Sequence, residues 1–105
     1  GLWKLQSRKT KGSLCSGFTE MKLIGGGHFI FFQRFDCEGE TIKHFGFGAM
    51  QIEKSGVVNE TAMTSTLEGY SGKDRLVNIK LTGADHMTQT FMHNGVEVIQ
   101  SYVRI

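Results

Sequence analysis

Apolar residues in this chain recur mainly at every second position, the spacing of a strand with one buried face. Val77, Ile79 and Leu81 alternate with Asn78 and Lys80, and Trp3 and Leu5 flank Lys4. No segment sustains a 3.6-residue apolar repeat, so helix is expected to be nearly absent. Strands are predicted over residues 3–7, 19–24, 28–35, 41–52, 57–67, 76–81, 86–92 and 96–105. Turn chemistry separates them: a polar stretch at 8–17, GGG at 25–27, DCEG at 36–39, KSG at 54–56, GYSGKD at 69–74, TGAD at 82–85 and HNG at 93–95. About eight strands at roughly 8–12-residue spacing are the mark of an antiparallel sandwich or barrel. A sandwich needs long crossovers, which only residues 8–18 and 68–75 could supply. The expected fold is therefore all-β, an antiparallel up-and-down barrel forming one domain over residues 1–105.

HFIFFQRF at 28–35 departs from simple alternation, because it is apolar on both faces. Phe29, Phe31, Gln33 and Phe35 share one face; His28, Ile30, Phe32 and Arg34 share the other. The DCEG turn decides what lies across from them. A three-residue loop, Cys37-Glu38-Gly39, pairs Phe31 with Phe45 and Phe29 with Phe47. A four-residue loop sets the rings over Gly46 and Gly48 instead. Under the first register, adopted here, Phe29, Phe31, Phe45 and Phe47 join Leu81 and Phe91 in lining an apolar lumen. The plain alternative is that the rings simply fill a small barrel. The opposite face then carries Ile30, Phe32, His44 and Met50, with Arg34 and Lys43 at its rim. Nothing in the sequence supplies a helix to cover it, so a homodimer is predicted there.

Composition narrows the function classes. One hundred and five residues make one core, and 12 basic against 10 acidic side chains give little footing for nucleic acid. No window is long and apolar enough for a membrane-spanning helix. Patterned sequence begins at Leu2, as in a trimmed or processed chain, so the lack of a visible signal peptide says nothing of export. Fourteen glycines with no proline suggest bulges and bends. GGG leads into a strand rather than a helix, so it reads as a bend and not a phosphate loop. Cys15 and Cys37 are bridged if the protein is exported, or are reduced packing residues; the spacing leaves both open. His28, His44, His86 and His93 lack metal-ligand spacing, so no metal or cofactor is expected. Ser13, Cys15 and Ser16 sit in no nucleophile motif. Glu20, Glu60 and Glu97 read as isolated carboxylates, and no catalytic residue is assigned.

GLWKLQS, KLIGGGHFIFF, ADHMTQTF and SYVRI together sample nearly the whole chain. Their order resembles a bacterial family of small lipocalin-like domains, mostly exported and of unassigned function. The lipocalin group pairs a G-x-W on its first strand with a basic residue on its last. Here those are Trp3 and Arg104, which a closed meander brings together as a cation–π contact at its base. The resemblance implies a calycin-type barrel in the periplasm or cell envelope. It also implies non-enzymatic binding of a small hydrophobic ligand or, alternatively, an interaction module acting through oligomerisation.

Overall fold

A computed structural model describes residues 1–66 and 72–105. The described chain runs as β1 (Leu2–Thr10), β2 (Cys15–Gly25), β3 (His28–Cys37), β4 (Glu40–Lys54), β5 (Val57–Ser65), β6 (Asp74–Leu81), β7 (His86–His93) and β8 (Val96–Arg104). Each strand pairs antiparallel with the next, and β1 pairs with β8, so the sheet closes into an up-and-down barrel. Residues 69–71 of the predicted turn over 69–74, and residue 67 at the end of the predicted fifth strand, lie outside the described residues. No described helix is long and apolar enough to cross a membrane, which leaves open what strands do.

Closure rests on the two chain ends. Trp3 pairs with Arg104, and the ladder runs up to Thr10 opposite Val98. The Arg104 guanidinium lies 4.8 Å from the indole centroid. Trp3, Leu5, Met87 and Tyr102 form a buried cluster at this end, with Ile24 and Ile79 against it. The base is thus plugged with apolar side chains.

Two-residue hairpins set the register of β2–β3, β3–β4, β4–β5 and β7–β8. Asn94 and Gly95 both take positive φ, as HNG predicts. GGG separates two strands as expected, but as a hairpin turn rather than a bulge or bend: Gly26 and Gly27 form the tip, with Gly25 paired to His28. At DCEG the tip is Glu38-Gly39, with φ of 51° and 82°, and Cys37 pairs with Glu40. This overturns the three-residue loop adopted from the sequence. The observed register is that of the four-residue alternative, with Phe31 opposite Gly46 and Phe29 opposite Gly48. Because side chains alternate, a one-residue slip moves a whole strand face.

The slip exchanges two of the six predicted lumen residues with two of the four predicted interface residues. Phe45 and Phe47 stand outside, each 42% exposed, paired with Phe32 and Ile30. His44 and Met50 share the inner face with Gly46 and Gly48; they stand across from the buried residues Gln33 and Glu60. The physical reason is volume. Phe29 and Phe31 are buried rings, and the glycines across from them leave the space those rings occupy.

Candidate functional site

Above the apolar plug the inner face turns polar. Lys22, Gln33, Glu60, Gln89 and Gln100 are buried, each flanked two positions away on its own strand by further inward residues. Buried polar groups need partners, and these find one another. Lys22 Nζ donates to Glu60 Oε2 at 2.5 Å and to Gln89 Oε1 at 2.7 Å. Gln89 Nε2 donates to Gln100 Oε1 at 3.0 Å, and the Tyr102 hydroxyl approaches the same oxygen at 3.1 Å. Tyr102 also contacts Glu20 Oε2 through a short hydrogen bond, while Gln33 Nε2 donates to Glu20 Oε1 at 3.0 Å. Arg75 Nη2 lies 3.4 Å from Glu60 Oε1. One continuous belt of hydrogen bonds therefore crosses the barrel at mid-height.

Between this belt and the mouth lies a cavity of about 180 Å³. Phe31, Phe35 and Phe91 line it together with Arg8, Arg75, Gln33 and His93. Each arginine stacks on a ring: Arg75 lies 4.0 Å above Phe91 and Arg8 lies 4.5 Å above Phe18. Arg8 Nε is enclosed and has no hydrogen-bond partner among the described residues. The wall is split beside it. β1 pairs with β2 only over residues 2–4 and 21–23, after which each strand follows its other neighbour. A second opening there shares Arg8, Ser13, Cys15 and Phe18 with the cavity lining. At the mouth a disulfide joins Cys15 to Cys37, which are direct cross-strand partners. That decides between the two readings the spacing left open.

Of the predicted lining residues, Phe31 and Phe91 border the cavity, and Phe29 is buried beneath Lys22 Nζ, 5.4 Å from its ring centroid. Leu81 does not belong to it: it ends β6 beside Met87 near the plugged base and is 61% exposed. The polar belt and both arginines were missed. Their signal lay in parity, since Glu60 falls between Val58 and Ala62 and Gln89 between Met87 and Phe91. A polar residue inside an inward apolar row marks a polar lumen rather than a greasy one. Among the described residues, no three His, Cys, Asp or Glu side chains gather as a metal-binding set.

Electrostatics in the belt follow from burial. Desolvation raises the Glu20 carboxyl above its usual range, against the opposing effects of the Tyr102 hydrogen bond and of Lys22, Arg8 and Arg75. Tyr102 is itself raised well above its ordinary value, by burial first and then by Glu20. A tyrosine has one proton and here faces two acceptors. The phenol is the donor to both Glu20 Oε2 and Gln100 Oε1, and protonation of the carboxyl, which burial favours, would supply the second proton. At the mouth, His93 is lowered by burial and then by the positive charges of Arg75 and Arg8, so both arginines act on one rim.

This arrangement predicts a pH effect with a definite sign. A carboxyl whose folded pKa is raised gives stability that is present below its unfolded value and lost as pH rises through the folded one. Glu20→Gln should remove that loss. Its amide can donate to Tyr102 while its oxygen still accepts from Gln33. Melting curves from about pH 4 to about pH 8 should show the variant gaining on the wild type as pH rises. His44 and His93, both lowered by burial, act in the opposite sense near their usual value but are common to both proteins. Parallel curves would refute the assignment.

No protein-family model matches the chain, and no curated protein is significantly similar to it. The fold is compatible with a calycin-type barrel on architecture alone.

Proposed function

We propose that this is a non-enzymatic, lipocalin-like binding protein of the bacterial envelope that takes a small amphipathic molecule into its lumen. The cavity between the polar belt and the mouth carries the reading. Its volume sits below the roughly 300–1,000 Å³ of drug-sized pockets, yet above the roughly 150 Å³ that accommodates benzene. A long acyl chain does not suit it. Its lining combines aromatic walls with a few fixed polar groups, the usual composition of a specific small-molecule site. The sequence-based expectation of a purely hydrophobic ligand gives way to an amphipathic one, because charged side chains share those walls. Export is supported by the Cys15–Cys37 bridge, which suits an oxidising compartment.

A thermal-shift screen tests the proposal with small amphipathic compounds, long-chain fatty acids, haem and divalent metals. Small amphipathic compounds should raise the melting point progressively with concentration, as mass action requires. Flat curves for every class would remove the ligand-binding reading.

A second reading has its own observation. Leu2, Met21, Leu23, Ile30, Phe32, Phe45 and Phe47 form adjoining pairs on the outside of β1 to β4. Phe32 is 62% exposed, and its ring lies 6.3 Å from that of Phe45. A contiguous apolar patch of this kind marks an interface, and it supports the homodimer in a form centred on Phe32 and Phe45. Light scattering should find a dimer for the wild type and a monomer for Phe32→Glu. A monomeric wild type ends the dimer proposal.

A further inference from the structure

The cavity's charges do not balance. Three cations, Arg8, Lys22 and Arg75, face two carboxylates, Glu20 and Glu60. Three minus two leaves one positive charge even when both carboxyls are ionised. Burial disfavours an ionised Glu20, which widens the imbalance. Lys22 and Arg75 both reach Glu60, and Glu20 is held by Tyr102 and Gln33. Arg8 contacts neither carboxylate directly: it lies over Phe18 with its Nε enclosed and without a hydrogen bond. Arginines keep their charge under burial, so the excess resides at the mouth beside Arg8. An uncompensated charge in low dielectric is unfavourable, and a bound counter-charge relieves it.

We infer that the ligand is a small monocarboxylate with a ring-sized apolar body, its carboxylate received by Arg8 and its body by Phe31, Phe35 and Phe91. This rests on the lumen reading above and adds the sign of the charge and the residue that meets it. Guanidinium suits the class because its planar fork matches a carboxylate with two parallel hydrogen bonds. One carboxylate is the complement of the one guanidinium that pairs with neither glutamate. The cavity volume admits a body of about one six-membered ring. A second pocket on the β1–β2 side also borders Arg8, so space adjoins the side chain on both sides.

Isothermal titration with benzoate, benzamide and benzylamine tests this at constant salt. These share one ring and differ in the charge of the substituent. Benzoate should bind at least about tenfold more tightly than benzamide, the worth of one charge-assisted hydrogen bond. Benzylamine should bind most weakly. Arg8→Gln should lose about tenfold or more for benzoate and little for benzamide. Its melting point should not fall below that of the wild type, since Arg8 pairs with neither glutamate and removing its charge relieves the imbalance. Equal binding of benzoate and benzamide, or unchanged benzoate binding by Arg8→Gln, would overturn the charge assignment and leave the lumen reading standing. No benzoate binding at all overturns it too, while the lumen reading fails only if the wider thermal screen is also flat.

Discussion

Lys22→Met should destabilise the barrel by about 3–5 kcal/mol, the range seen when one partner of a buried ion pair is removed. Lys22 and Glu60 are 3% and 2% exposed, so water cannot replace the lost ammonium. The methionine is of similar length and fills the space above Phe29, which confines the loss to the charge and its hydrogen bonds. Two acceptors are stranded together: Glu60 Oε2 and Gln89 Oε1. Arg75 remains near Glu60, but on the other carboxylate oxygen and at 3.4 Å. Measured as an equilibrium in urea, the loss is a large part of the roughly 5–15 kcal/mol that holds a domain together. The melting point should fall by about 15 °C or more. Adding Glu60→Gln should recover much of this, because the buried carboxylate is then gone. A single variant within about 1 kcal/mol of the wild type would show that the pair is not buried as described.

Gly48→Ala should be comparably damaging although it adds one methyl. The new Cβ would fall against the Thr61 carbonyl oxygen, 2.9 Å from its carbonyl carbon and 3.0 Å from the Ala62 Cα. All three belong to backbone of the facing strand, at a point where the β4–β5 register shifts. Relief therefore requires the two strands to part, breaking ladder hydrogen bonds. Overpacking of this kind costs about 3 kcal/mol or more where nothing flexible yields. Gly46→Ala provides the contrast. Its Cβ would meet the Phe31 ring at 2.6 Å, and that ring borders a cavity it can tilt into. The second variant should lose only about 1–2 kcal/mol in stability while narrowing the lumen. Equal melting points for Gly48→Ala and the wild type would refute the close approach.

These two sites show what parity alone left undecided. Phe45-Gly46-Phe47-Gly48 alternates perfectly, so phenylalanines and glycines must occupy opposite faces whatever the register. Which face points inward depends on whether the Cys37–Glu40 turn holds two residues or three. Glycine accepts positive φ at no cost, and Glu38 also adopts it here, at 51°. A non-glycine residue in that region is uncommon, so the tighter hairpin was not the obvious reading of DCEG. The rings of Phe29 and Phe31 settle it. Opposite glycines they fit; opposite two more phenylalanines, on the same inner surface as Lys22, Glu60 and the glutamines, the lumen would be overfilled.

The polar belt was hidden for a different reason. Glu20 and Glu60 are 40 positions apart, and local pattern gives no distance between side chains on separate strands. Only closure brings Lys22 to Glu60 and Tyr102 to Glu20, across sequence separations of 38 and 82.

By itself, then, the amino-acid order determined strands from period-two alternation, turns from glycine and asparagine, and, from the shortness of those turns, a meander that closes. Tertiary structure alone decided which side of β4 faces the lumen, that Cys15 meets Cys37, and that buried charges gather beneath the mouth. Alternation fixes which residues share a face, but only packing across the barrel fixes which face is inside.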